Sequence, residues 1–136
     1  MTGRRVVITG LGIVSPVGNS VEQAWQNILA GRSGIDRITR FDTSTFPVQI
    51  AGEVRDFDIT QYIPARDARR MDTFIHYGMA AGIQAIKDAG LEAHPANADR
   101  IGVSIGSGIG GLPMIETTRD EYVASGVRKI SPFFVP

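Results

Sequence analysis

The sequence is 136 residues long, with 43% hydrophobic and 21% charged side chains, ordinary values for a globular chain of one domain. Fourteen basic side chains balance fourteen acidic ones, which leaves no global field for holding nucleic acid or an anionic membrane surface. There is no cysteine, so these residues offer no disulfide, no thiolate metal site and no cysteine nucleophile, and a reducing, cytoplasmic compartment fits.

At the start, Arg4-Arg5 followed by VVITGLGIVSPVG has the outline of a signal peptide. Gly10, Gly12 and Pro16 interrupt its apolar run, and no cleavage site follows, so none is expected. No window approaches 18 uninterrupted apolar residues, so no membrane-spanning helix is expected. Residues 5–9, Arg-Val-Val-Ile-Thr, read instead as a buried strand stopped by Gly10.

Ser20-Val-Glu-Gln23 is a capping-box pattern, predicting a helix to about Ala30 that buries Val21, Trp25, Ile28 and Leu29 and stops at Gly31. Residues 32–46 read as loop. The alternation from Val48 to Val54 predicts a half-exposed strand. From Asp67 to Ala89, the spacing of Met71, Phe74, Ile75, Met79, Ile83 and Ile86 predicts a long helix. Gly78 and Gly82 on or beside that face would admit a close neighbour, and Gly90 would end the helix.

Arg100 to Ile105 reads as a second buried strand, and Pro113 to about Ala124 as a helix with Met114, Ile115, Tyr122 and Val123 inward. The apolar ending ISPFFVP predicts either docking on the core, continuation of the polypeptide or a partner surface.

Two short signatures overlap in IGVSIGSGIGG, residues 101–111. Gly102-Val-Ser104-Ile-Gly106 spells the nucleophile elbow, but Ser104 falls inside the strand pattern and both histidines, His76 and His94, precede it. Gly106-Ser-Gly108-Ile-Gly-Gly111 spells the dinucleotide fingerprint, with a strand before and a helix after. The ribose-binding acid is missing, because Asp120 and Glu121 fall within the helix. A small nucleotide-binding domain therefore stands only as an alternative. Gly10-Leu-Gly12 raises the same idea without a third glycine.

His76 and His94 lack a second histidine at ligand spacing, so no metal site and no cofactor are expected. His76 reads as a partly buried structural residue. Arg66, Arg69 and Arg70 form a basic cluster, by default a solvated face and otherwise a receiver for a phosphate or an acidic partner.

Longer stretches carry more information. They are RRVVITGLGIVSPVGN, then SGI and FDTS between residues 33 and 44, RRMDTFIHYGMAAGIQAIKDAGL, RIGVSIGSGIGGL and RKISPFFVP. Together they resemble the elongating β-ketoacyl-acyl-carrier-protein synthases, continuously over essentially the whole chain. The resemblance implies an α/β fold, specifically part of a thiolase-like fold, with residues 1–136 forming the N-terminal part of its first βαβ-rich half.

It also implies the chemistry. In such enzymes a cysteine is acylated by an acyl-carrier-protein thioester. Two histidines of the second half promote loss of carbon dioxide from malonyl-carrier protein, and the carbanion attacks the acyl-enzyme. None of those catalytic residues is present here, so the chain is expected to be a fragment that is inactive alone. A non-catalytic dimerisation or interaction fragment is the alternative.

By matching position, the resemblance implies three substrate-binding residues: Gly108 gives room, Ile109 is a movable gate of the acyl pocket, and Phe134 lines a pocket across a homodimer interface. For Gly108, simple packing of strand against helix remains open. The implied partners are acyl carrier protein and a second copy of the chain, with neither nucleic acid nor membrane.

Overall fold

The structure is a computed structural model and describes residues 3–134. Its elements are α1 (Val21–Leu29), β1 (Ile35–Arg37), β2 (Ile50–Gly52), α2 (Ala65–Ala68), α3 (Thr73–Asp88) and α4 (Leu112–Ser125), with short 3-10 turns at Ile59–Gln61, Ala98–Arg100 and Val127–Lys129. Mixed helix and sheet agree with the α/β expectation. Backbone contacts divide the chain into two units, one formed by residues up to Asp58 with Ala80–Glu92, the other by Ile59–Met79 with residues from Ala93 onward.

In the first unit, α1 begins as its capping pattern predicts. The Ser20 hydroxyl accepts the Gln23 N–H at 3.2 Å, satisfying one of the free donors of the first turn. The return half of the box is displaced by one residue: Gln23 Oε1 accepts from the N–H of Asn19 at 2.7 Å. The helix ends at Leu29, and Gly31 has φ +65°. Its burial differs from expectation. Ala24 is enclosed, whereas Val21, Trp25, Ile28 and Leu29 are all exposed. The amphipathic face is present, but no described element covers it.

Strand β1 corrects the reading of residues 32–46 as loop. Ile35–Arg37 pairs antiparallel with β2, with Asp36 opposite Ala51. The run Ile35-Asp-Arg37 is too short to show alternation, and it is held by polar groups as well as by the ladder. Arg55 Nη1 donates to Asp36 at 2.9 Å and Nη2 donates to the Arg37 carbonyl at 3.2 Å.

Along α3, the close approach expected at Gly78 and Gly82 is absent. A side chain on Gly82 would meet nothing within 4 Å, and one on Gly78 only Ile105 at 3.5 Å. The glycines that admit a neighbour lie on the opposite partner. A methyl on Gly12 would run into the Ala81 carbonyl, and one on Gly10 into the carbonyl of Ala85. Two side chains of α3 then accept the backbone between and beyond those glycines: Asp88 takes the Leu11 N–H at 2.8 Å and Gln84 the Ile13 N–H at 3.1 Å.

In the second unit, the long helix expected from Asp67 breaks into α2 and α3. Asp72 is the cause. Its carboxylate accepts the Thr73 N–H at 2.5 Å and its carbonyl accepts from Ile75 at 3.0 Å, so a new helix starts there. The apolar periodicity runs through the break and conceals it. Helix α4 matches its expected span, but Ile115, Tyr122 and Val123 are exposed rather than inward, and Thr118 is its enclosed residue.

Neither predicted buried strand forms a ladder. Val6 is 89% exposed, Ile8 82% and Val103 78%. A strand needs a neighbour to receive its N–H and C=O groups, and among the described residues neither segment has one. The enclosed apolar side chains are accordingly small: Ala24, Ala68 and Ala80.

Candidate functional site

The glycine-rich stretch of the second unit is a turn set at the entrance of α4. Ser107 Oγ accepts the Gly110 N–H at 3.0 Å, closing a four-residue turn. Gly108 and Ile109 occupy its two central positions, and Ile109 is 74% exposed. Gly110 has φ +75°, a conformation that a β-branched or bulky residue would strain. Its open side faces the Phe74 ring, 3.8 Å from where a Cβ would stand.

Asp72 supports the next step of the chain. It is 9% exposed and lies against Gly111, where any methyl would collide with its carboxylate. Its Oδ2 accepts the Met114 N–H at 3.2 Å, in the first turn of α4.

Two hollows flank this arrangement. One, of about 260 Å³, is lined by Phe74, Ile75, Met114, Ile115, Phe133 and Phe134 among others. Arg70 stands over the Phe133 ring, 4.7 Å from its centroid. The other, of about 380 Å³, is lined by Phe74, Ile75, Gly78, Met79, Ile105 and Ser107 among others. Phe134 thus faces an apolar hollow. Gly108 and Ile109 line neither hollow, so the structure does not bring the three expected substrate-binding residues together.

The rival signatures lose their geometry. Ser104 does not sit on a sharp strand-to-helix turn, and the turn N–H of Gly110, which a phosphate would need, is already held by Ser107. His76 Nε2 lies 2.9 Å from the Ala68 carbonyl, in the half-buried structural role expected of it, while His94 Nδ1 accepts from Ala96 at 3.3 Å. Among the described residues, no cluster of three or more histidine and acidic groups is arranged to hold a metal ion, and no helix is long and apolar enough to cross a membrane. Within the basic cluster, Arg66 pairs with Asp67 at 3.3 Å and Arg69 Nε donates to the Ala65 carbonyl at 3.3 Å.

Sequence reasoning passed over Ser107 and Asp72. The signal for the first was present: a serine three residues before a glycine is the spacing at which its hydroxyl can close a turn. For Asp72 the signal was a strong cap-forming residue inside an apparently unbroken helix.

Comparison with known proteins gives a consistent result. Residues 3–136 match the family model described as the β-ketoacyl synthase N-terminal domain. The chain is 58% identical over 136 residues to a protein of Vibrio cholerae serotype O1 named 3-oxoacyl-(acyl-carrier-protein) synthase 2, covering 100% of this chain and 33% of that protein. Among solved structures it resembles the ishigamide ketosynthase/chain length factor, with a TM-score of 0.74 and 33% identity over 96% of this chain and 33% of the other. It also resembles a type II polyketide ketosynthase, bound to a hexaketide and in complex with its acyl-carrier protein, with a TM-score of 0.72 and 26% identity over 93% of this chain and 34% of the other. The chain therefore spans about a third of the length of these relatives.

Proposed function

The chain belongs to the β-ketoacyl synthase family through its N-terminal domain, and from that premise we propose that it serves in a 3-oxoacyl-acyl-carrier-protein synthase of fatty acid elongation. The reaction is a decarboxylative condensation. A cysteine thiolate takes the acyl group from its carrier thioester and releases the carrier thiol. Malonyl-carrier protein then loses carbon dioxide, and the resulting carbanion attacks the acyl-enzyme, expelling the cysteine and leaving a 3-ketoacyl product two carbons longer. These 136 residues hold no cysteine, so the nucleophile must come from further polypeptide.

The contribution assigned to this chain is a wall of the acyl pocket. The observation that carries it is the serine-closed turn, which presents the exposed, branched side chain of Ile109 between two glycines. Gly108 leaves room for that side chain to change rotamer, and Ile109 acts as the gate that longer acyl chains must displace. Phe134 lines the pocket from a second copy of the chain, so the working unit is a cytoplasmic homodimer. Acyl carrier protein delivers both substrates, and the exposed Arg66 and Arg69 offer positive charge to an acidic partner.

The test separates this chain from its longer parent. The 136 residues alone, incubated with acyl- and malonyl-carrier protein, should gain no acyl mass and form no 3-ketoacyl product. The full-length polypeptide containing them should do both. A stable acyl adduct on the short chain, or its absence from a folded full-length protein, would refute the reading.

A further inference from the structure

We propose that Asp72 is the positioning residue of the glycine turn, fixing where Ile109 points by capping two helices with one carboxylate. Helix α4 starts at Gly111, a cap residue with no side chain to offer its free N–H groups. Asp72 supplies what Gly111 cannot. One of its oxygens takes the Thr73 N–H at the start of α3, and the other takes the Met114 N–H at 3.2 Å in the first turn of α4. A negative charge placed at two helix N-termini is favoured by both dipoles, and its enclosure, at 9% exposure, strengthens each bond.

The coupling to the turn is steric. Gly111 lies so close to the carboxylate that it admits no methyl, and Gly110 stands against Phe74, two residues beyond Asp72 on α3. The start of α3 therefore presses on Gly111 and flanks its neighbour Gly110, where a Cβ would meet the Phe74 ring at 3.8 Å. Gly110 is also the residue whose N–H closes the turn on Ser107. A shift of Asp72 is passed through Gly111 and Gly110 to Ile109. Only a carboxylate fits this role, because an amide offers one acceptor and would set its NH₂ against the second N–H.

The consequence for catalysis rests on the reading of Ile109 as an acyl gate, and the experiment separates the two. It uses the full-length polypeptide with Asp72→Asn, Gly111→Ala and the double substitution. Amide hydrogen exchange is followed at Gly110 and Met114, and acyl-enzyme formation is measured against acyl chain length. In Asp72→Asn the Met114 amide should exchange roughly tenfold or more faster, as for loss of a charge-assisted bond. Exchange at Gly110 should rise with it, and discrimination between short and long acyl chains should fall severalfold. Gly111→Ala, which keeps the carboxylate but forces it aside, should reproduce both effects, and it carries the test if Asp72→Asn does not fold. The double variant should add little to either single change, since both open the same contact.

Faster exchange at Gly110 with an unchanged length profile would uphold Asp72 and refute the acyl reading. A folded variant in which Met114 exchanges faster but Gly110 does not would reduce Asp72 to a helix cap and overturn the proposal.

Discussion

Ser107 Oγ accepts the backbone N–H of Gly110 at 3.0 Å, and this bond holds Gly108 and Ile109 at the tip of a closed turn. The turn is exposed, so the bond is worth little to global stability, about 0.5–1.5 kcal/mol at most. Its value is local order. Ser107→Ala is predicted to leave the melting temperature nearly unchanged while the Gly110 amide exchanges several-fold faster. Ser107→Thr, which keeps the hydroxyl, should restore protection. Equal protection in the alanine variant would show that the turn is held by other means.

Ile109 is predicted to act as a size filter in the full-length protein. Ile109→Phe should suppress acyl-enzyme formation from long chains by tenfold or more, roughly the effect of about 1.4 kcal/mol, while short chains still react. Ile109→Ala should relax the limit. Because the side chain is 74% exposed in this chain, neither change should cost much stability here. Chain-length profiles measured beside melting temperatures decide the matter. A well-folded Ile109→Phe enzyme with an unaltered profile would remove Ile109 from the gate.

Gly12 is predicted to be intolerant of even one carbon. A Cβ there would collide with the Ala81 carbonyl, and backbone atoms cannot rotate aside as a side chain can. Gly12→Ala should destabilise by about 1–3 kcal/mol, the usual cost of overpacking. Gly82→Ala, with nothing within 4 Å, should be neutral or slightly stabilising through helix propensity. Denaturant unfolding of the two variants side by side tests the contrast, and equal effects would contradict it.

Glu53 links β2 to the loop after β1 and should sense acid. The Thr39 hydroxyl donates to its carboxylate at 2.7 Å, and that bond, with the Thr39 backbone N–H, holds its pKa below the ordinary glutamate value. Its proton is bound less tightly folded than unfolded. The contribution is therefore present above the unfolded value of about 4.5 and fades as pH falls through the lower folded value. Thr39→Val is predicted to raise the Glu53 pKa, observable by carboxyl-resolved NMR titration. An unmoved titration curve would show that the hydroxyl is not the cause.

The local signals in the sequence translated well where a single residue type decides the backbone. Ser20 caps α1, Gly90 follows α3 with φ +59°, and α4 runs from Leu112 to Ser125 much as expected. The misreadings share a physical origin. Val6, Ile8 and Val103 have the composition of interior strands, but a strand is a relation between two segments and its partner is not among the described residues. Trp25 and Tyr122 likewise belong to apolar faces whose cover is a tertiary matter. Asp72 was hidden because hydrophobic periodicity continues across the break it makes. The assignment of Gly108, Ile109 and Phe134 to an acyl pocket rests on family resemblance and stays a proposal, whereas the bond from Gly110 to Ser107 that shapes the turn is a matter of three-dimensional geometry.

The contact between residues 10–13 and α3 works as a ruler. Gly10 meets the helix at Ala85 and Ala89 and Gly12 at Ala81 and Ala85, while Leu11 reaches Asp88 and Ile13 reaches Gln84. Every two residues of the segment are thus matched to four of the helix, running in the opposite direction. Four helical residues rise about 6 Å, and two residues of a pleated chain advance about 6.6 Å. The two repeats are nearly commensurate, so both the glycine contacts and the side-chain acceptors can be met at successive steps. A displacement by one residue would set Leu11 on a helix carbonyl and leave both acceptors facing the wrong amides. The first apolar segment is therefore indexed against α3 to a single residue, and whatever surface Val6, Val7 and Ile8 present is inherited from that count.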